Sequence, residues 1–121
     1  MASKVVINLA TGLEDEERVT LAFLMAGGAI AQGKQTVIFL TKDAVRLALP
    51  GVAQGVACEG CPPLERLFEQ FTDGGGELLV CPYCFNSRDL DEKELVANAR
   101  IGGATPLFEW IGDETPTVFS F

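Results

Sequence analysis

The stretch Gly76-Glu77-Leu78-Leu79-Val80-Cys81-Pro82-Tyr83-Cys84 decides the fold of this chain and locates its chemistry. Its apolar run, residues 77–80, is typical of a strand that is buried on both faces of a parallel sheet. Two thiols follow at once, in a segment that opens into a loop or the start of a helix. Because α/β folds place reactive groups at the carboxyl ends of such strands, we predict that Cys81 and Cys84 lie at one rim of a sheet.

Outward from this stretch, strand-like and helix-like segments alternate. Further strands are predicted at residues 5–9, 36–40 and 117–121. Helices are predicted from the acidic residues 14–17 to a C-cap at Gly33, and at 41–47 with Thr41 near the cap, 63–71, 91–96 and 104–111, whereas 51–61 reads as a loop. This alternation predicts a single domain over residues 1–121, a three-layer α/β/α sandwich with a mainly parallel sheet of about five strands.

Composition excludes several classes of function. The 121 residues carry a net charge of −8 and include no histidine, so imidazole serves neither as a base nor as a metal ligand. The acidic balance argues against nucleic-acid partners and anionic membranes. The longest apolar run, residues 19–31, is too short to cross a bilayer, and the acidic residues before it do not fit a signal peptide. We therefore expect a cytoplasmic protein, in which paired cysteines are more often catalytic or metal-binding than structural.

The two Cys-x-x-Cys pairs support two interpretations, and the first is thiol chemistry at the second pair. Cys81, exposed at the end of a strand, would be the reactive thiol, because the backbone N–H groups that follow favour its thiolate. Cys84 would be its redox partner. Arg88 would add positive charge if its loop folds back on the site. This interpretation requires no cofactor.

The second interpretation is a zinc site formed by Cys58, Cys61, Cys81 and Cys84. The spacing within and between the pairs matches that of four-cysteine zinc sites. All four thiolates would then be ligands in a metal-stabilised interaction domain, and none would be a nucleophile. The sequence does not decide whether the two pairs meet, so zinc remains the alternative cofactor.

Cys-Pro-Tyr-Cys is also the active-site motif of glutaredoxins, but its place in the chain argues against a thioredoxin-like fold. Redoxins carry the motif after an early strand, with most of the domain following it. Here only residues 85–121 follow, and the residues before Cys81 form their own alternating pattern. Dithiol redox chemistry on a different fold remains open, because it needs only two close thiols and a good thiolate.

The segment 76–84, with Ser87-Arg88-Asp89-Leu90 and Ile101-Gly102-Gly103-Ala104, resembles the DsrE/DsrF-like family, also called the YchN-like fold. The resemblance covers nearly the whole chain, and Asp89 stands where members usually have glycine. It implies a small α/β/α domain assembled into homo-trimers or hexamers. It also implies sulfur transfer between relay partners, with a persulfide on the cysteine that follows this strand. That role carries over to Cys81 alone.

Overall fold

The computed structural model describes residues 3–121, and within them five strands form one sheet. The strands are β1 (Lys4–Leu9), β2 (Gln35–Leu40), β3 (Glu77–Val80), β4 (Ala99–Ile101) and β5 (Thr117–Ser120). The helices are α1 (Glu16–Ala31), α2 (Leu64–Asp73), α3 (Pro82–Asn86) and α4 (Ala104–Ile111), with 3₁₀ helices at Lys42–Ala48, Ala53–Gly55 and Glu92–Glu94.

The strands lie in the order β4-β3-β2-β1-β5, and every pairing is parallel. In this register Leu40 of β2 lies opposite Val80 of β3, and Val6 of β1 lies between Val37 and Val118. Parallel neighbours require crossover connections, which the helices provide. The predicted α/β class and five-stranded parallel sheet are confirmed.

The two faces of the sheet are covered unequally. Alternation along the strands turns Ile7, Ile38 and Leu78 toward a large buried core, to which α1 and α2 contribute. The opposite face turns Val6, Val37 and Leu79 toward a smaller cluster with Leu107, Trp110 and Ile111 of α4. The result is the predicted three-layer arrangement, with a thick layer on one side and a single short helix on the other.

Aromatic packing joins α1 to α2 within the large core. The ring of Phe23 stacks on Phe68 with a centroid separation of 5.5 Å, and meets Phe71 edge-on at 5.7 Å. Phe23 and Phe71 are fully buried. Such pairs stabilise a core beyond the apolar area that they bury.

Helix α1 begins and ends at capping signals that the sequence carries. The Asp15 side chain accepts a hydrogen bond from the Arg18 N–H at 3.1 Å. At the other end Gly33 has a φ of +79°, and the Lys34 N–H donates to the Ala29 carbonyl at 3.1 Å, which confirms the C-cap prediction. Although α1 is 16 residues long, no helix within residues 3–121 has the length and hydrophobicity to cross a membrane.

The prediction of a helix over residues 91–96 was wrong, and strand β4 was not predicted. Only the 3₁₀ turn Glu92–Glu94 forms, begun by Asp91, whose carboxylate accepts from the Lys93 N–H at 2.9 Å. The Val96 N–H then donates to the Ala48 carbonyl at 2.8 Å. This tertiary hydrogen bond holds the chain in place just before β4, which pairs with β3. Strand pairing therefore overrides the local preference for a helix.

The helix predicted after β2 forms as a 3₁₀ helix, Lys42–Ala48, and the Thr41 side chain makes no capping bond. Lys42 has a φ of +52° at this turn. The loop after β1 presses on the turn, because a Cβ on Gly12 would lie 2.7 Å from the carbonyl carbon of Asp43. Glycine at position 12 is therefore required by the close approach of two backbones.

Two glycine substitutions with opposite expected effects test this packing. A Cβ at Gly76 overlaps the buried ring of Phe71, so Gly76→Ala should lower the free energy of unfolding by about 1–3 kcal/mol. Gly27 lies inside α1 with open space where a Cβ would stand, so Gly27→Ala should raise it by about 0.5–1 kcal/mol. Urea unfolding measures both, and equal destabilisation by the two variants would contradict the described packing.

Candidate functional site

Cys81 is the first residue after β3, and its backbone is held on both sides. Its N–H donates to the Leu40 carbonyl of β2 at 3.0 Å, and its carbonyl accepts from the Phe85 N–H at 3.0 Å. The residue is half-buried and its thiol is unbonded. Cys81 therefore lies at the carboxyl rim of the sheet, as predicted, with a fixed backbone and an accessible side chain.

Helix α3 places the second thiol one turn further on. Cys81 is the N-cap residue, and Pro82 occupies the first turn, where a missing N–H costs no helical hydrogen bond. Cys84 lies three positions after Cys81, a spacing at which side chains share one side of a helix. Its thiol is also unbonded, and the residue packs partly against the large core. The structure therefore brings the two predicted site cysteines together.

The turn at residues 102–103 lies beside the end of β3 and Pro82. The Gly102 N–H donates to the Val80 carbonyl at 2.9 Å, and a Cβ on Gly102 would lie 2.9 Å from Leu79 Cδ1. A Cβ on Gly103 would lie 3.8 Å from Cδ of Pro82. The sequence analysis quoted this turn but gave it no role. Its place follows from the pairing of β4 with β3, which local patterns did not reveal.

Arg88, which would add positive charge if its loop folds back on the site, is instead paired with Asp43. Its Nε donates to Oδ1 of Asp43 at 2.8 Å, and its Nη1 donates to the Cys84 carbonyl at 3.1 Å. The guanidinium of Arg88, followed by that of Arg46, holds the pKa of Asp43 below its ordinary value of about 3.8. The ion pair fastens the segment after α3 to the 3₁₀ helix that follows β2.

Asp43 is a site-supporting residue that the sequence analysis missed. The available signal was its position just after β2, because the carboxyl ends of parallel strands meet at the same rim. Asp89, at the position where the family resemblance implied glycine, has a φ of +54°. This agrees with the expectation that aspartate tolerates left-handed geometry.

The first Cys-x-x-Cys pair is oxidised. Cys58 and Cys61 form a disulfide with a Cα–Cα distance of 5.3 Å, while Cys81 and Cys84 remain thiols. Across residues 3–121, no three His, Cys, Asp or Glu side chains lie in an arrangement that can hold a metal ion. The structure therefore does not bring the four predicted zinc ligands together, and two of them are bonded to each other.

A cavity of about 510 Å³ lies away from Cys81, between α1 and β5. Its lining contains no cysteine, aspartate or glutamate, and is formed by Val5, Leu21, Leu24, Met25, Gly28, Ala29, Gln32, Lys34, Thr117, Phe119 and Phe121. Such a lining offers little for bond-making chemistry. We therefore assign the candidate reactive site to the thiols of Cys81 and Cys84, and consider this apolar groove as a surface.

A neutralising substitution tests the ion pair. The pKa of Asp43 is lower in the folded chain than in the unfolded chain, so its ionised carboxylate stabilises the fold. This stabilisation is complete above the pKa of Asp43 in the unfolded chain, and is lost as the pH falls through its pKa in the folded chain. Asp43→Asn should therefore unfold more easily at pH 6, by at most about 1 kcal/mol for this partly exposed pair. The difference from wild type should shrink as the pH falls below the ordinary pKa of about 3.8 and vanish once Asp43 is protonated in the folded chain. Urea unfolding across this range measures it.

Asp113→Asn, on the exposed turn after α4, is the matched control and should show no such convergence. A stability gap between Asp43→Asn and wild type that persists at the lowest pH would contradict an electrostatic role for Asp43.

Comparison with known proteins places this geometry among solved folds. The chain is 20% identical to the YchN protein of E. coli, with a TM-score of 0.77 and complete coverage of both chains. It is 18% identical to protein BT1422 of Bacteroides thetaiotaomicron, with a TM-score of 0.64, covering 98% of this chain and 95% of that one. At these identities the likeness concerns the fold alone.

Sequence comparison gives two archaeal relatives. Protein MK0008 of Methanopyrus kandleri is 26% identical over 104 residues, covering 86% of this chain and 83% of that protein. Protein MJ0760 of Methanocaldococcus jannaschii is 29% identical over 101 residues, covering 84% of this chain but only 37% of that protein. A profile of the DsrE/DsrF-like family matches residues 3–119. The chain belongs to the DsrE/DsrF-like family.

Proposed function

We propose that this protein is a sulfur carrier that accepts and donates a persulfide sulfur at Cys81. The observation that carries the proposal is the state of this residue, a half-exposed, unbonded thiol at the carboxyl end of β3. Family membership supports the same chemistry, since the cysteine after this strand carries the persulfide in sulfur-relay members. The donor and acceptor would be partner proteins of such a relay.

The transfer needs one nucleophile. The Cys81 thiolate attacks the outer sulfur of a donor persulfide, R–S–SH, and the donor S–S bond breaks. The donor leaves as the thiolate R–S⁻, and Cys81 holds the –S–SH group. Donation to an acceptor thiolate is the same reaction in reverse, so no cofactor and no external oxidant are required. The reaction depends on thiolate character and access, the two properties that govern cysteine reactivity.

Cys84 gives the loaded carrier a second outcome. Its thiolate, one helical turn away, can attack the inner sulfur of the Cys81 persulfide. A Cys81–Cys84 disulfide then forms and HS⁻ leaves, so that two thiols are oxidised while the outer sulfur is reduced to sulfide. A disulfide of this kind needs Cα atoms about 4.4–6.8 Å apart, which suits positions three residues apart at the start of a helix. Thiol redox through the same pair is therefore the second candidate function.

We also infer a cytoplasmic location, because reduced thiols are the resting state that a carrier needs and that compartment maintains them. The acidic composition disfavours nucleic acids and anionic membranes as partners.

Cys81→Ser should abolish sulfur acceptance from a persulfide donor, because the remaining free thiol, that of Cys84, packs partly against the large core. Cys84→Ser should still accept sulfur, but it should release no sulfide by internal disulfide formation. Intact mass spectrometry after incubation with glutathione persulfide measures both, as a gain of one sulfur atom or a loss of two hydrogens. Equal sulfur gain by Cys81→Ser and Cys84→Ser would refute the proposed role of Cys81.

We further propose that the protein assembles with copies of itself through the apolar groove between α1 and β5. Leu21, Leu24 and Met25 are exposed on α1 by 49%, 41% and 39% of their surface. Beside them β5 is an edge strand, whose outer backbone groups are open to pairing. A copy carries the same net charge of −8, and the groove lining has no aspartate or glutamate side chain to repel it.

Leu24→Glu should dissociate this assembly, because it places a charge at the centre of the apolar surface. Light scattering should give wild type a multiple of 12.9 kDa and the variant a lower mass. Phe108→Glu, at a side chain 69% exposed on α4, is the control and should leave the mass unchanged. A wild-type mass of 12.9 kDa, or dissociation by Phe108→Glu alone, would contradict the proposed surface.

A further inference from the structure

The disulfide of the first Cys-x-x-Cys pair is not used by the chemistry proposed for Cys81. The two pairs have the same spacing, yet Cys58 and Cys61 are bonded while Cys81 and Cys84 are not. We infer that Cys58 and Cys61 form a second, separate thiol–disulfide centre, which takes two electrons from a dithiol reductant. The inference does not depend on persulfide transfer at Cys81.

The disulfide is accessible and contributes little to the fold. Glu59 and Gly60, between the two cysteines, are exposed, and both cysteines are partly exposed. The bond joins residues with a sequence separation of three, so it closes a very short loop. Disulfides constrain the unfolded chain less as the loop shortens. The chain should therefore remain folded when this bond is reduced, as a centre that cycles between two states requires.

A buried hydroxyl group lies close to one of the two sulfur atoms of the disulfide. Cys58 Sγ lies 3.7 Å from Oγ1 of Thr20, one of the few buried polar side chains in the part of the chain described. The Thr20 hydroxyl donates its only hydrogen to the Glu16 carbonyl at 2.8 Å, so it presents a lone pair to Cys58. A disulfide sulfur has no hydrogen to offer, whereas a Cys58 thiol can donate to that lone pair. Thr20 therefore favours the reduced state.

The geometry also assigns the order of events. Cys58 Sγ contacts Thr20 of α1, whereas the polar contact of Cys61 Sγ is to the Glu59 carbonyl of its own loop, at 3.9 Å. A reductant thiolate bonds to Cys61 Sγ, the disulfide breaks, and Cys58 leaves as a thiolate that takes a proton from water. The second thiolate of the reductant then displaces Cys61, whose thiolate also takes a proton from water. The reductant is oxidised to its disulfide, and the pair gains two electrons and two protons.

The test uses a Cys81→Ser, Cys84→Ser double variant, so that Cys58 and Cys61 are the only cysteines that can be alkylated. The variant is equilibrated in graded ratios of reduced to oxidised dithiothreitol, alkylated with a maleimide and weighed intact. We expect both thiols to appear together and reversibly, with a midpoint between those of thioredoxin and glutaredoxin measured in the same buffers. Circular dichroism should be the same for the two states.

Thr20→Val in this background removes the lone pair and keeps the side-chain shape. The ratio of reduced to oxidised dithiothreitol needed for half-reduction should rise about two- to fivefold, as expected for one weak S–H···O bond. The control is Thr36→Val, a buried threonine whose hydroxyl also donates to a backbone carbonyl, that of Lys34, and it should not move the midpoint.

Three outcomes would overturn the inference. They are a midpoint more reducing than that of thioredoxin, two thiols that never pair, and unfolding on reduction. An equal shift of the redox midpoint in Thr20→Val and Thr36→Val would refute only the role of Thr20. Because persulfide loading at Cys81 is measured on the chain with Cys81 intact, failure here leaves that proposal standing, and the reverse also holds.

Discussion

The register between β2 and β3 is the constraint on which the fold and the site both depend. Leu40 lies opposite Val80, and the Leu40 carbonyl also receives the N–H of Cys81. The same register sends Leu78 to the large core and Leu79 to the cluster under α4. A slip of one residue would exchange the two faces and turn Glu77, with Leu79, toward the large core. The position of the thiol is thus fixed by the hydrophobic partition of β3.

Charge around the site is balanced locally, which matters in a chain with a net charge of −8. Asp43 holds Arg46 at 3.4 Å and Arg88 at 2.8 Å, so two of the cations near the rim face the same carboxylate. Neither arginine is an unpaired charge for a sulfur anion. The chemistry that we propose for Cys81 relies instead on exposure and on the backbone of the β3–α3 junction. The arginines hold in place the segments that form it.

Features with local signals were predictable from the sequence, and features set by pairing were not. Strand β3 is marked by an apolar run, and the two ends of α1 are marked by an aspartate and a glycine. Each of these signals acts within a few residues. Strand β4 is three residues long and contains Arg100, so only its pairing with β3 identifies it. The contact between Arg88 and Asp43 joins residues 45 positions apart, which spacing rules do not cover. Cysteine spacing likewise suited both zinc and thiol chemistry, since the two require the same short separation.

The place of β5 next to β1 has a consequence for the synthesis of the chain. Val5 and Val6 of β1 pair with Thr117 and Val118, more than a hundred positions later. Throughout translation of the intervening residues, β1 keeps one unpaired edge of N–H and carbonyl groups beside apolar side chains. Contacts of such long sequence separation form slowly and leave nascent chains prone to aggregation. Until residues 117–120 pair with it, this edge of β1 is open to pairing with another chain.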